Sequence, residues 1–402
     1  MKHGRLRIIP FIIGSVLAAA VSADEVPDTK AFFGDTHLHT SYSPDAYLMG
    51  NRSASPDTAY RYAKGLPVVH PYHRAKIQIG IPLDFLVVAD HAEYLGVIPM
   101  IFSGDPRVAD LAIAKRWKAF SDAGAPQKAF AEGLAHVNTN TPDTDLNSEP
   151  IRRTVWNEII EAAERHNQPG NFTTFIGWEW SPLPDGANLH RVIFQAQGGE
   201  IAERYLPFSS FDSDEPEDLW EWLDDTSKAS GADFIAIPHN QNISKGLMFP
   251  LAKSDGALID QAYAETRMRW EPVVETTQIK GDSETHPNLS PNDEFADYET
   301  YDHVLQTADA AEASMFGDGF LGELSEEDRK YLEQNEERMM QVGDYSRTAL
   351  MRGLAIEARV GTNPYKFGLI GSTDSHSGMA SAEENNFWGK MALDSTPENR
   401  LD

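Results

Sequence analysis

The sequence predicts an α/β fold in which parallel strands form a barrel. Two observations support this prediction: short apolar runs ending in histidine or acidic residues recur along the chain, and segments with helical periodicity lie between them. In a barrel of parallel strands, the catalytic groups lie at the C-terminal ends of the strands. The repeated placement of histidine and carboxylate residues therefore predicts a functional site at one end of the barrel.

Six runs have the length and the β-branched or aromatic content of buried strands, and each is bounded by Gly, Pro or Asp. They are Ala31–His39, Pro82–His91, Thr173–Glu179, Asp233–His239, Trp270–Glu275 and Lys366–His376. We expect each run to form a strand whose final residues contribute to the site.

Helices are predicted between these runs. Glu217–Ser230 follows a proline, carries Leu and Trp at helical spacing and ends before Gly231. Ile151–Asn167 and Tyr345–Val360 also end just before proline or glycine. Residues 41–81, 99–150 and 280–341 fit no barrel element, so we expect loop and helical insertions that shape a pocket above the strands.

The composition limits the possible functions. The chain has 34 basic and 62 acidic residues and a formal charge of -28, which would repel a nucleic-acid backbone, so no nucleic-acid partner is expected. It contains no cysteine, which leaves His, Asp and Glu as the metal-binding set. An anionic substrate would need local positive charge, and bound divalent metals could supply it.

The first 23 residues have the pattern of a secretory signal peptide. Basic residues within the first seven positions precede the apolar stretch Ile8–Val21, and small residues follow up to Ala23. We expect an exported protein, periplasmic or secreted, whose single domain begins at Asp24. No later segment approaches the ~20 apolar residues of a membrane span, so no stable membrane insertion is expected. The alternative is an uncleaved amphipathic N-terminus on a cytoplasmic protein.

Two pairs of metal-type residues share one geometry. His37 and His39 are two residues apart, and in a strand this spacing directs both imidazoles to one face. Asp374 and His376 repeat the spacing near the other end of the chain. Either pair alone is weakly specific, but two such pairs favour a shared metal site.

Further candidate ligands follow or lie near the other runs: His91, Glu179, His190 and His239. Mn, Fe and Zn accept imidazole together with carboxylate, whereas Mg and Ca prefer oxygen alone. There are more candidate ligands than a single ion can coordinate. We therefore expect two or three divalent metals, Mn, Zn or Fe.

The order of these motifs resembles the PHP superfamily, named for polymerase-associated and histidinol-phosphatase domains. Phe33–Ser43 and Gly371–Gly378 are similar to an exported bacterial branch of PHP-like proteins catalogued as a domain of unknown function. The resemblance implies a distorted TIM-like (β/α)7 barrel with long loop and helical insertions. Members of that branch generally continue beyond the final Asp-x-His motif, which implies that this chain is truncated at its C-terminus.

The resemblance also implies how the ligands divide among metals. One metal would be held by His37, His39, Glu179 and Asp374. Glu179 would bridge to a second metal held by His190 and His239, and a third would take His91 and His376. Asp45, six residues beyond His39, stands where the family often places another ligand.

The resemblance implies hydrolysis of a small anionic ester, most commonly a phosphate ester, through a hydroxide that bridges metals sharing Glu179. Arg191 and Lys280 are candidates for holding the substrate anion, and Asp35 is a candidate for orienting an imidazole. Further anion-holding candidates are Asn240, Glu275, Tyr345 and Arg347. Two alternatives stay open: an arylsulfatase or phosphonate-ester hydrolase on the same site, and a non-catalytic exported protein that binds metal or an anion.

Overall fold

The computed structural model describes residues 30–300, 343–381 and 383–400. The predicted signal peptide and residues 301–341 of the third predicted insertion lie outside the described residues. From Phe33 onward the described residues belong to one compact unit. Within the described part of the chain, no helix combines the length and apolar character needed to cross a membrane.

Each of the six apolar runs contains a strand, as predicted. In chain order the strands are β1 Gly34–Leu38, β2 Val68–Val69, β3 Lys76–Ile77, β4 Phe85–Val88, β5 Thr173–Trp180, β6 Arg191–Gln195, β7 Phe234–Pro238, β8 Val273–Gln278, β9 Gly281–Asp282 and β10 Gly368–Gly371.

The three predicted helices are also present, and the insertions add others. The helices are α1 Pro44–Leu48, α2 Pro56–Ala63, α3 Val97–Ser103, α4 Ala112–Asp122, α5 Gln127–Asn138, α6 Glu149–His166, α7 Gly199–Ala202, α8 Pro216–Ser230, α9 Gln261–Trp270, α10 Ser346–Val360 and α11 Pro397–Arg400. Helix α8 begins at Pro216 and ends at Ser230. The next residue, Gly231, has a φ of 83°, which suits the left-handed residue that terminates a helix.

The α/β class is correct, but the prediction of a closed TIM-like (β/α)7 barrel is wrong. In the described residues, β1, β4, β5, β6 and β7 form one five-stranded sheet in that order, curled like half a barrel. Strands β10, β8 and β9 form a separate three-stranded sheet, and β2 pairs with β3. The main sheet is mixed, because β6 runs antiparallel to both β5 and β7.

Strand β6 is the element that the sequence prediction missed. It follows β5 after a connection with one 3₁₀ turn, Pro184–Gly186, and no α-helix. A parallel partner requires a crossover of a dozen or more residues, usually a helix, so a short connection of this kind returns the chain antiparallel. The strand lies between β5 and β7 and keeps those two strands apart in the sheet.

Backbone hydrogen bonds join β1 to the segment that follows β10. His39 N donates to the Ser375 carbonyl at 2.9 Å, and Asp374 N donates to the His37 carbonyl at 2.8 Å. These bonds bring together the two pairs of candidate ligands, which are more than 330 residues apart in the sequence.

Two tryptophans fix the strand that carries Glu179. Trp178 and Trp180 lie on the opposite face of β5 from Glu179 because side chains alternate along a strand. Both indoles are fully buried, and their Nε1 atoms donate to the carbonyls of Phe208 and Ser213 at 2.9 and 3.0 Å. Packing on the helical side therefore directs Glu179 to the other face of the sheet.

Candidate metal centre

The candidate ligands lie at one edge of the curled sheet. His37 is in β1 and His39 follows that strand, while His91 and His239 come just after β4 and β7. His190 precedes β6, and because β6 is antiparallel to its neighbours, its first end lies at the same edge as the last ends of β5 and β7. The strand topology thus brings these imidazoles to one place.

A first set of ligand atoms surrounds Oε2 of Glu179. His39 Nε2 lies 3.0 Å from that oxygen and 3.2 Å from Asp374 Oδ1. His37 Nε2 lies 3.5 Å from Glu179 Oε2, 3.4 Å from Asp374 Oδ1 and 3.1 Å from His39 Nε2. All four side chains are buried. The residues that the resemblance assigned to one metal therefore surround one point.

These distances fit a divalent ion. Metal–ligand bonds of about 2.0–2.2 Å place neighbouring ligand atoms about 3.0 Å apart at a right angle and about 3.4 Å apart at a tetrahedral angle. Two imidazole nitrogens that face each other at 3.1 Å must share either a proton or a metal ion, because two lone pairs would repel. Two imidazoles with two carboxylates suit Zn, Mn or Fe.

A second set surrounds the other oxygen of Glu179. His190 Nδ1 lies 2.6 Å and His239 Nε2 lies 2.8 Å from Oε1. His91 Nδ1, by contrast, lies 3.1 Å from Oε2, the oxygen that faces the first set. The two oxygens of one carboxylate thus face different groups of imidazoles, and Glu179 could contact two metals if both were bound.

A third set forms around Asp45, which lies in the first turn of α1. Its Oδ2 atom is 2.7 Å from His376 Nε2 and 3.5 Å from His91 Nε2. The rings of His376 and His39 are 3.9 Å apart between centroids, so this set adjoins the first. The structure brings together all nine side chains predicted as metal ligands, and their binding of metal stays a prediction.

Hydrogen bonds to the far nitrogens orient the imidazoles of the first set. His37 Nδ1 donates to Glu275 Oε2 at 3.0 Å, and His39 Nδ1 donates to Ser43 Oγ at 2.7 Å. Ser43 donates in turn to Asp90 Oδ1 at 2.8 Å, so its hydroxyl oxygen is available as an acceptor. When Nδ1 carries the proton, Nε2 presents its lone pair to the centre, as metal-bound histidines require.

Two lysines contact the carboxylate of Asp374. Lys280 Nζ lies 2.8 Å from Oδ2, and Lys390 Nζ lies 2.6 Å from Oδ1. Lys390 also contacts the Asp374 carbonyl and lies 2.9 Å from His376 Nδ1. Both ammonium groups are largely buried. They place positive charge within a strongly acidic protein, beside a predicted metal ligand.

The carboxylates of the centre are ionised. Burial by itself would raise the pKa of Glu179, but His91, His239 and His190 hold it well below its usual range. Burial is likewise outweighed at Asp374, where Lys280 leads the groups that hold the pKa of the carboxyl well below normal. Ionised carboxylates are the form that binds metals.

The imidazoles divide into two groups. Burial lowers the pKa values of His190 and His376 to about 3, so these rings are neutral, as metal ligands must be. Burial opposes charge on His91 too, but Glu179 and Asp45 outweigh it and raise the pKa of His91 to about 9. A proton on His91 thus balances carboxylate charge in the metal-free protein, and a metal would replace it.

Residues 26–402 match the model of a family described as a protein of unknown function (DUF3604). The chain belongs to this family. No curated protein and no solved structure matches the chain.

Arg191, predicted to hold a substrate anion, lies on the other side of the sheet. It follows His190 directly, so the two side chains point to opposite faces. Its guanidinium is fully buried, donates to Glu271 Oε1 at 3.0 Å and to the Leu189 carbonyl, and lies 5.5 Å from the centroid of the Trp180 ring. This position does not favour the predicted role, whereas Lys280 lies beside Asp374 as that role requires.

Asp35 contacts the backbone rather than an imidazole. Its Oδ1 atom accepts from His37 N at 3.0 Å and from Thr373 N at 3.2 Å, while Oδ2 accepts from Thr373 Oγ1 at 2.5 Å. It therefore joins β1, which carries His37, to the segment after β10 that carries Asp374. The residue that orients the His37 ring is Glu275, which had been predicted as an anion holder.

Arg347 and Tyr345 lie at the start of α10. Arg347 pairs with Glu284 at 2.5 Å and with Asp293 at 2.7 Å. Tyr345 precedes the helix, with its ring 6.2 Å from that of His286. The two ion pairs thus engage the guanidinium of Arg347 with carboxylates outside the centre. Asn240, by contrast, follows His239 directly and is linked to Glu275 through the side chain of Gln278.

Sequence reasoning missed Lys390 and Ser43. Lys390 follows the final Asp-x-His motif by many residues, and nothing in its neighbourhood distinguishes it from a surface lysine. Ser43 lies four residues beyond His39, and a search for hydroxyls close to a predicted ligand could have proposed it as a hydrogen-bond partner.

Proposed function

We propose that this protein is a metal-dependent hydrolase of phosphate esters that uses two or three divalent ions. The observation that carries the proposal is the position of Glu179. Its Oε2 faces His39, while its Oε1 faces His190 and His239 at 2.6 and 2.8 Å. A carboxylate shared in this way supports a dinuclear centre, and dinuclear centres are well suited to displacement at phosphorus.

The ions would supply two things: a nucleophilic water activated near neutral pH, and positive charge for the oxygens of the ester. The protein positions its own groups for that chemistry. Glu275 and Ser43 fix the imidazoles of His37 and His39, so the first set is organised before any ion arrives. The buried side chains exclude water from these contacts.

Lys280 and Lys390 favour an anionic substrate. Both ammonium groups contact Asp374, so an anion bound beside that carboxylate would meet positive charge from both. This local charge offsets the repulsion expected from a chain with a formal charge of -28. A doubly charged phosphate monoester gains more from two lysines than a singly charged sulfate ester does.

The relationship to the PHP superfamily is also a proposal. It is supported by the order of the ligands along the chain and by their division into three adjoining sets around Glu179 and Asp45. Export stays a proposal as well, since it rests on the signal-peptide pattern of residues 1–23.

A metal-reconstitution assay tests the proposed function. The purified protein would be stripped of metal, reloaded with Mn²⁺, and assayed with aryl phosphate, phosphodiester, phosphonate and sulfate substrates. We expect metal-stimulated turnover of a phosphorus ester. Turnover of sulfate alone would favour an arylsulfatase, and metal binding without turnover of any ester would favour a binding protein.

The variant Glu179→Gln sharpens this assay. Changes in groups that merely orient metal ligands lower metal affinity or activity by about 10–100-fold. Loss of the Glu179 charge should therefore lower turnover by more than about 100-fold and reduce the metal content. Glu265→Gln is the matched control, because Glu265 is an exposed glutamate of α9 whose carboxylate accepts a hydrogen bond from Gln261. Equal activity of Glu179→Gln and the control would contradict the proposal.

A further inference from the structure

Asn240 carries an unused donor next in sequence to a predicted metal ligand. It follows His239 directly, and its side chain is buried with 2% of its surface exposed. Its Nδ2 atom has no hydrogen-bond partner among the residues that the structure describes. Buried amide nitrogens are almost always paired. An unpaired one beside a predicted metal ligand points to a ligand that supplies the acceptor.

A chain of hydrogen bonds determines which way this amide points. Gln278 Nε2 donates to Glu275 Oε1 at 3.1 Å and to Asn240 Oδ1 at 2.9 Å. A carboxylate only accepts hydrogen bonds, so Glu275 requires the nitrogen of Gln278 to face it. That orientation requires Asn240 to offer its oxygen to Gln278. The nitrogen of Asn240, with both of its hydrogens, is therefore left without a partner among the described residues, as is Oε1 of Gln278.

The same chain connects Asn240 to the first set of metal ligands. Glu275 accepts from His37 Nδ1 at 3.0 Å, so His37, Glu275, Gln278 and Asn240 form one continuous network. Asn240 is also held in the left-handed region, with a φ of 49°. Asn tolerates this conformation better than most residues, but it is uncommon for any residue with a side chain and is typical of functional sites.

We propose that Asn240 binds the substrate, donating from Nδ2 to a non-bridging oxygen of the ester group held at the metal centre. This inference rests on the proposed function and adds a specific group to it. Gln278 is a positioning residue that acts through Asn240. A neutral donor of this kind selects for an oxygen acceptor near the metals and adds no charge, so it complements the two lysines beside Asp374.

Two variants remove the donor without forcing the backbone. Asn240→Gly deletes the side chain, and glycine adopts a positive φ freely. Asn240→Asp keeps the shape and replaces the donor with an acceptor. Asn140→Gly is the matched control, because Asn140 also has a positive φ, 51°, but is exposed and remote in sequence from the ligands.

The probe is inorganic phosphate, measured as an inhibitor of ester hydrolysis by the Mn²⁺-loaded protein and by the broadening of its phosphorus resonance. Loss of a hydrogen bond to a charged group should weaken phosphate binding by about 10- to 100-fold in both Asn240 variants. Metal content should match the wild type, and both variants should remain folded at the assay temperature. Gln278→Met should weaken binding less, and adding it to Asn240→Gly should have no further effect.

The outcomes separate this inference from the proposed function. If the wild-type protein neither binds phosphate nor hydrolyses any phosphorus ester, the proposed function fails and this inference fails with it. If the wild type does both and the Asn240 variants bind phosphate equally well, only this inference is overturned. Loss of metal in Asn240→Gly and Asn240→Asp would also overturn it, since Asn240 would then support the ligands rather than the substrate.

Discussion

Glu275 accepts a hydrogen bond from Nδ1 of His37 at 3.0 Å, and both side chains are fully buried. The two residues are 238 positions apart and lie in different sheets. This contact fixes the ring of His37 and its protonated nitrogen, so Nε2 is directed toward Glu179 and Asp374 before any metal binds. The centre is therefore organised by contacts that do not depend on the ion.

Glu275→Gln should weaken metal binding at the first set of ligands. Glutamine can also donate to Nδ1, so it no longer specifies which nitrogen of His37 carries the proton, and it lacks the charge that makes the imidazole a better ligand. We expect about a 10- to 100-fold loss of affinity, measured by competition with a metal chelator. Glu265→Gln controls for the loss of one negative charge. Wild-type affinity in Glu275→Gln would contradict this role.

Lys390→Met should destabilise the metal-free protein more than the metal-loaded protein. Removing the ammonium leaves Asp374 paired with Lys280 alone. The free energy of unfolding should therefore fall by less than the typical cost of breaking a buried pair, which is about 3–5 kcal/mol. A metal bound to Asp374 would replace the lost charge. Thermal melts with and without Mn²⁺ should therefore show a larger metal-induced rise in melting temperature for the variant. Equal rises would show that Lys390 does not balance the charge of Asp374.

Six of the strands and most of the candidate site could be predicted from sequence, whereas strand β6 and the arrangement of the main sheet could not. His37 and His39 share a face whenever they lie in a strand, so their convergence is a local property. The direction of β6 depends on a connection that ends near Arg191, and the sequence around that residue shows no helix to complete a crossover. The position of Arg191 could not be predicted for the same reason, because its face is defined only once β6 exists. Lys390 was missed because long-range packing alone brings it to Asp374.

The metal-free protein should lose stability as the pH rises from about 6.5 to 8. The pKa of His91 is raised from 6.5 to about 9 in the folded protein by Glu179 and Asp45, against the effect of burial. Its contribution to stability is fully present below pH 6.5 and is lost as the pH approaches 9. The pKa of His37 is raised in the same direction.

Chemical denaturation of the chelator-treated protein across this range checks the prediction. Above pH 8 a second group opposes this effect. Burial lowers the pKa of Lys390 to about 8, so the folded protein releases this proton before the unfolded chain does, and this term raises stability as the pH increases. With metal bound, His91 is already neutral, so the fall in stability between pH 6.5 and 8 should disappear. A metal-free protein whose stability rises between pH 6.5 and 8 would contradict the assigned protonation of His91.

Arg191→Met should reduce stability and leave substrate binding unchanged. The guanidinium donates to Glu271 Oε1 at 3.0 Å, and Arg267 pairs with Glu271 Oε2 at 3.0 Å, all within the buried core. Removing Arg191 leaves Glu271 with one guanidinium and the indole of Trp220, whose Nε1 donates to Oε1 at 3.0 Å.

The partial loss of a buried ion pair should lower the free energy of unfolding by an amount approaching about 3 kcal/mol. Because the side chain points away from His190, the KM for a phosphorus ester should match that of the wild type at temperatures where both proteins are folded. Lys280→Met is the informative comparison, since Lys280 contacts Asp374 and its loss should raise KM. A raised KM in Arg191→Met with unchanged stability would return Arg191 to the anion-holding role that the sequence suggested.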